Sequence, residues 1–178
     1  KYLDNQKVKK AVIIGHSFGG RVGIVFAARY PDSVEKLILT GTPGVLLVTK
    51  KKLNFFLVLA KMGGAVFALP VLNLFAHLAR KVLYRLAGAT DYLVVNGVMR
   101  ETFKKVIAFD LIPSMKKITA PTLLLWGSDD RHTPVTIGRR MKPLIKHATL
   151  DIVAGQHHGF PMDDPETFAK KVMRFISK

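Results

Sequence analysis

The stretch "AVIIGHSFGGRVGIVFAARYP", residues 11 to 31, passes from an apolar run through a glycine-rich bend into a helical pattern, with Ser17 at the tip of the bend. The run before it, residues 9 to 14, reads as a short buried strand. After it, Val22, Val25/Phe26 and Arg29 fall on successive helical turns from Phe18 to Tyr30, and Pro31 stops them. A bare G-x-S-x-G arises by chance in about one chain in twenty of this length, so the setting carries the weight. "GHSFG" directly follows a strand and directly opens a helix, the context of a nucleophile elbow. In such a turn the serine backbone is strained and strand and helix run close, so the positions two before and two after it must be small. Gly15 and Gly19 meet that demand. The rival reading, a phosphate-cradling turn, needs G-x-G-x-x-G or a Walker lysine, and "GHSFGGRVG" has neither.

A serine hydroxyl is too weakly acidic to attack alone; it needs a base, and the base an orienting carboxylate. The elbow predicts both after later strands, in the order serine, acid, histidine. Further apolar runs follow: "EKLILTGTPG" (35 to 44), "APTLLLWGSDD" (120 to 130) and "HATLDIVAG" (147 to 155). Helical segments lie between or after them, one expected to start with Thr133 as N-cap and Pro134 at the first helical position, another at Asp164-Pro165-Glu166. Strand alternating with helix predicts a doubly wound parallel α/β sheet with its site at the carboxyl ends of the strands. Asp129 and Asp130 stand after the third run, and His157 and His158 after the fourth.

With "GHSFGGRVGIVFAARYPDSVEKLILTGTPG", "APTLLLWGSDDRHTP" and "HHGFPMDDPETFAKKVMRFI", the chain resembles the C-terminal two-thirds of an α/β-hydrolase-fold enzyme, in the serine-nucleophile, cap-containing esterase/lipase-like branch. The resemblance implies a nucleophile after the fifth strand of the family, a helical cap after the sixth, an acid after the seventh and a histidine after the eighth. It places the acid three residues past the strand-ending Trp-Gly, which selects Asp130, and counting back from Pro165 selects His158. The residue before that histidine is usually glycine in the family and is His157 here. The implied triad is Ser17, Asp130 and His158, with the Phe18 amide as one oxyanion donor and with no cofactor and no metal. A serine nucleophile argues against the dehalogenase and epoxide-hydrolase branches. His16, His77, His132 and His147 belong to no comparable constellation and read as structural or exposed.

Residues 45 to 119 are too long for a crossover loop and read as an inserted helical cap, leaving 1 to 44 and 120 to 178 as the hydrolase core. Residues 62 to 79 carry no charge beyond His77, but Gly63-Gly64, Pro70, Asn73 and His77 interrupt them, against a membrane span. Phe55, Phe56, Phe67, Leu69, Leu72 and Phe75 point to a small-to-medium apolar ester-like substrate.

Formal net charge is +16, with 12 Lys/Arg against 3 Asp/Glu in residues 45 to 119 and the rest of the excess spread along the chain. No zinc-finger spacing or RNA-recognition signature accompanies it, which argues against nucleic acid as the main partner. Contact with an anionic membrane surface stays open, as does a non-catalytic family member that binds a ligand or partner through the basic cap; oligomeric state is not encoded legibly. The 178 residues include no cysteine, which excludes thiolate and disulfide chemistry. Nothing near Lys1 resembles a signal peptide, so the cytoplasm is the default compartment. The family's first four strands have no counterpart before residue 9. From this follow an expected unpaired apolar edge at the first strand, a missing second oxyanion amide, and weak or absent activity of the chain as written.

Overall fold

The computed structural model describes residues 2–45 and 97–178. A short helix, α1 (Tyr2–Asn5), leads to β1 (Ala11–His16), α2 (Phe18–Arg29) and β2 (Val34–Thr40). After Gly97–Ala108 (α3) and Ile112–Met115 (α4) come β3 (Thr122–Gly127), α5 (Val135–Met141), β4 (Ala148–Val153), α6 (Phe160–Asp163) and α7 (Pro165–Ile176). The four strands form one sheet in the order β1-β2-β3-β4, every pair parallel. This is the doubly wound parallel α/β arrangement expected from the sequence. β1 starts and ends two residues later than expected.

The strands read as continuous apolar runs because both faces of the sheet are covered. Leu37, Leu39, Leu124 and Trp126 point to one face, where they pack with Ile24 and Ala27 of α2, Met115 of α4 and Ile137 and Met141 of α5. Ile38, Leu123 and Leu125 point to the other, against Phe160 of α6 and Val172 of α7. The side-chain period of two thus splits each strand between two helical layers. β1 lies at the edge of this sheet, and its Ile14 is half exposed.

The chain divides into two compact units, one of residues Lys1–Leu46 and Asp110–Lys178, the other of Leu47–Phe109. Residues 110 to 119, expected with the insertion, therefore belong with the sheet: Leu111, Met115 and Ile118 are buried in its core. In the second unit, α3 is the described element, a twelve-residue helix in which the Thr102 hydroxyl donates to the Val98 carbonyl. The uncharged stretch 62 to 79 and the six apolar residues assigned to the cap lie outside the described residues. Among the described residues no helix is long and apolar enough to cross a membrane.

A second difference concerns the start of α5. Thr133 was expected to cap it, but the helix begins at Val135 behind Pro134, and no side chain caps it. The Thr133 hydroxyl is engaged elsewhere. The Asp164 expectation holds: its carboxylate accepts from the Thr167 amide at 3.1 Å and opens α7.

Candidate active site

Ser17 sits between β1 and α2 with φ 51° and ψ −119°, a left-handed backbone for a residue that is not glycine. Such a conformation costs about 1–3 kcal/mol and persists only where neighbours hold it. Here the Ser17 amide donates to the carbonyl of Thr40 at the end of β2, and the Ser17 carbonyl accepts from the Gly20 amide. A methyl group on Gly15 would stand 2.6 Å from the Gly20 Cα and 2.9 Å from the Gly19 carbonyl oxygen, both backbone, so the bend closes only with glycine at that position. Phe18 is the first residue of α2, and the first amides of a helix have no partner within it.

The other two groups arrive on neighbouring loops. Asp130 follows β3 and His158 follows β4, and the loops are stitched together. The Ser128 amide donates to the Val153 carbonyl, the Asp129 amide to the Gln156 carbonyl, and the Gly155 amide to the Ser128 hydroxyl. His158 Nε2 lies 3.1 Å from Ser17 Oγ, and its Nδ1 lies 2.8 Å from Asp130 Oδ2. Of the two candidate pairs, His158 faces the serine and Asp130 faces the far side of its ring. The Asp129 carboxylate accepts from the Ser128 hydroxyl instead, and the His157 ring lies 3.3 Å from the Asp129 carbonyl on the exposed side.

Asp130 is nearly fully buried. Burial pushes its carboxyl up, but the Thr133 amide, His158 and the Thr133 hydroxyl donate to it and outweigh that effect, so it stays below the ordinary carboxylate value. An ionised Asp130 can only accept, so it favours the tautomer of His158 with the proton on Nδ1, which leaves the Nε2 lone pair toward the Ser17 hydroxyl. A hydroxyl, an imidazole and a carboxylate in this order can pass a proton from the serine to the ring.

Two more imidazoles, read from sequence as structural or exposed, flank His158. Its ring centroid lies 4.9 Å from that of His16 and 5.2 Å from that of His132. Burial and the nearby His158 hold His16 below its ordinary value, against the opposing pull of the Thr40 carbonyl and Asp130. Its Nδ1 is a buried atom without a hydrogen-bond partner among the described residues. Gly41, just past β2, has φ +51° and passes under the His158 ring. No group of three or more His, Cys, Asp or Glu among the described residues is arranged to hold a metal ion. The sequence signal missed was the spacing D-x-x-T at Asp130, which places a side-chain turn on the acid and brings Thr133 back to it.

A family model described as alpha/beta hydrolase fold matches residues 3–164. The chain belongs to the α/β-hydrolase family. RutD of Caulobacter sp. (strain K31), a protein assigned as a carbamate hydrolase, is 28% identical over 189 residues, covering 99% of this chain and 69% of that protein. A 2-hydroxy-6-oxononadienedioate/2-hydroxy-6-oxononatrienedioate hydrolase of Burkholderia vietnamiensis (strain G4 / LMG 22486) is 27% identical over 189 residues, covering 99% and 65%. Among solved structures, the enol-lactonase from Burkholderia xenovorans LB400 superposes with a TM-score of 0.64 at 23% identity, covering 99% of this chain and 69% of that one. These proteins are hydrolases by name, and this α/β-hydrolase chain spans about two thirds of their length.

Proposed function

We propose that this chain carries the machinery of a serine hydrolase that cleaves a carboxylic ester or similar acyl bond of a small-to-medium apolar substrate. The observation that carries the reading is the relay of 3.1 Å from Ser17 Oγ to His158 Nε2 and 2.8 Å from His158 Nδ1 to Asp130, with the serine on a strained elbow. Ser17 Oγ attacks the substrate carbonyl as His158 Nε2 takes its proton. The resulting oxyanion faces the Phe18 amide at the start of α2. The carbon–leaving-group bond breaks as the imidazolium protonates the leaving oxygen, giving an acyl-Ser17 ester, and His158 then activates a water that hydrolyses it. Asp130 stays ionised throughout, holding the imidazole and stabilising its cation. The hydrolase names of the relatives support the reaction class. Their named substrates differ from one another, so they do not narrow the substrate here.

A fluorophosphonate probe tests this reading, because it phosphonylates an activated serine and spares an ordinary hydroxyl. Covalent labelling of the protein, mapped to Ser17 by mass spectrometry and absent from Ser17→Ala, is expected. An unlabelled but folded wild-type protein would refute it and would favour a family member that binds a ligand or partner without catalysis.

A further inference from the structure

The hydroxyl of Thr133 has no part in the proton relay itself, yet it stands where the acid meets the imidazole. Thr133 Oγ1 lies 2.7 Å from Asp130 Oδ2 and 3.1 Å from His158 Nδ1, and the residue is buried. With Asp130 ionised the hydroxyl hydrogen goes to Oδ2, while the hydroxyl oxygen faces the Nδ1–H of the imidazole. We propose that Thr133 is a positioning residue of the site, whose hydroxyl fixes the Asp130 carboxylate and the His158 ring in the arrangement that aims Nε2 at Ser17. The inference rests on the serine-hydrolase reading for its consequence, though not for its geometry.

The other contacts of Asp130 explain why a further anchor matters. Its Oδ1 accepts from the backbone amides of His132 at 2.9 Å and Thr133 at 2.8 Å. Those two bonds hold one oxygen and leave the other free to swing on an arc about it. Oδ2, the oxygen that meets His158, is held by the imidazole it is supposed to orient and by the Thr133 hydroxyl. An independent anchor on Oδ2 turns a mutual adjustment between carboxylate and ring into a fixed one.

One contact and two local restrictions hold Thr133 itself. The indole N–H of the fully buried Trp126 donates to the Thr133 carbonyl at 2.7 Å, tying the loop to the sheet. Pro134 restricts the backbone before it to extended conformations. The β-branched side chain has few rotamers to choose from. A line of contacts therefore runs from the core of the sheet through Thr133 to Asp130, His158 and Ser17.

The test uses Thr133→Val, which keeps the shape and removes the hydroxyl, and Thr133→Ser, which keeps the hydroxyl and removes the methyl group. Two quantities are read in each: the titration midpoint of the Asp130 carboxyl by 13C NMR, and the rate of fluorophosphonate labelling. Thr133→Val is expected to raise the Asp130 midpoint, because a donor to the charged form is lost, and to slow labelling by about ten- to a hundredfold. Thr133→Ser is expected to restore both. A Thr133→Val protein with a wild-type midpoint and rate overturns the inference, and so does equal impairment of the two variants, which would make the methyl group the important part. The NMR midpoint decides the hydroxyl–carboxylate link even if wild-type protein takes no label, an outcome that would refute the serine-hydrolase reading alone.

Discussion

Replacing Gly41 with alanine should separate the chemistry of the site from the stability of the fold. Gly41 has φ +51°, where a side chain costs about 1–2 kcal/mol through its clash with the following carbonyl. A Cβ there would lie 2.9 Å from both Cε1 and Nδ1 of His158 and 3.2 Å from Asp130 Oδ2, whereas ordinary contact begins near 3.4 Å. The peptide of Gly41 is tied to the strand end, so the imidazole gives way, by about half an ångström or more. That retreat lengthens the 3.1 Å approach to Ser17 and disturbs the pair with Asp130 together. A loss of this size lowers the melting temperature of a chain this long by about 2–8 °C and leaves it folded. A displacement approaching 1 Å at a reacting group costs about a hundredfold in rate. Labelling by the fluorophosphonate should therefore fall by about ten- to a hundredfold while thermal melting shows a modest shift. Wild-type labelling in Gly41→Ala would refute the reasoning, as would a rate loss that only follows the fraction unfolded.

Two further outcomes follow from the same geometry. His158→Ala should nearly abolish labelling of Ser17 while His157→Ala changes it little, since only the former ring reaches the serine; a reversed order in measured rates would refute the assignment. Stability should also fall on acidification in two windows. His16 titrates lower in the fold than its ordinary 6.5, so below that value the unfolded chain takes up the proton first and stability declines as pH drops toward the folded value. The low-lying Asp130 contributes stability that is present above its ordinary 3.8 and is lost as pH falls through its folded value. Thermal midpoints measured across pH should show both declines, and His16→Asn should flatten the upper one alone.

Much of this arrangement was legible from residues because local and global signals agree there. The apolar run into β1, Gly15 before Ser17 and the helical spacing after it each demand the same strand–turn–helix, whereas Gly19 faces open space and Gly20 is the one that packs against Thr42. Parallel strands buried on both faces read as unbroken apolar runs, so β2, β3 and β4 were also visible. Other features depend on what lies across the molecule. Asp130 and Asp129 differ by one residue, and only the spacing of a known family separates them in sequence. "TP" before a helix reads equally as a cap, and nothing local says that the Thr133 hydroxyl turns back to a carboxylate. The apolar residues Leu111, Met115 and Ile118 have helical character in either unit, and their burial against the sheet appears only in three dimensions. The rings of His16 and His132 come beside His158 from the end of β1 and from the loop after β3, a proximity that no spacing along the chain encodes.

Ser17 and His158 are 141 residues apart along the chain. A ribosome adds about 5–20 residues per second, so on the order of ten seconds pass between the synthesis of the one and of the other. Through that interval the growing chain already exposes its serine, but His158, the partner of its hydroxyl, does not yet exist. Parallel strands also pair only once the crossovers between them have closed, which makes their assembly late and slow. On the serine-hydrolase proposal, the nascent protein is silent toward the acyl groups around it until β4 and the loop that follows have been made.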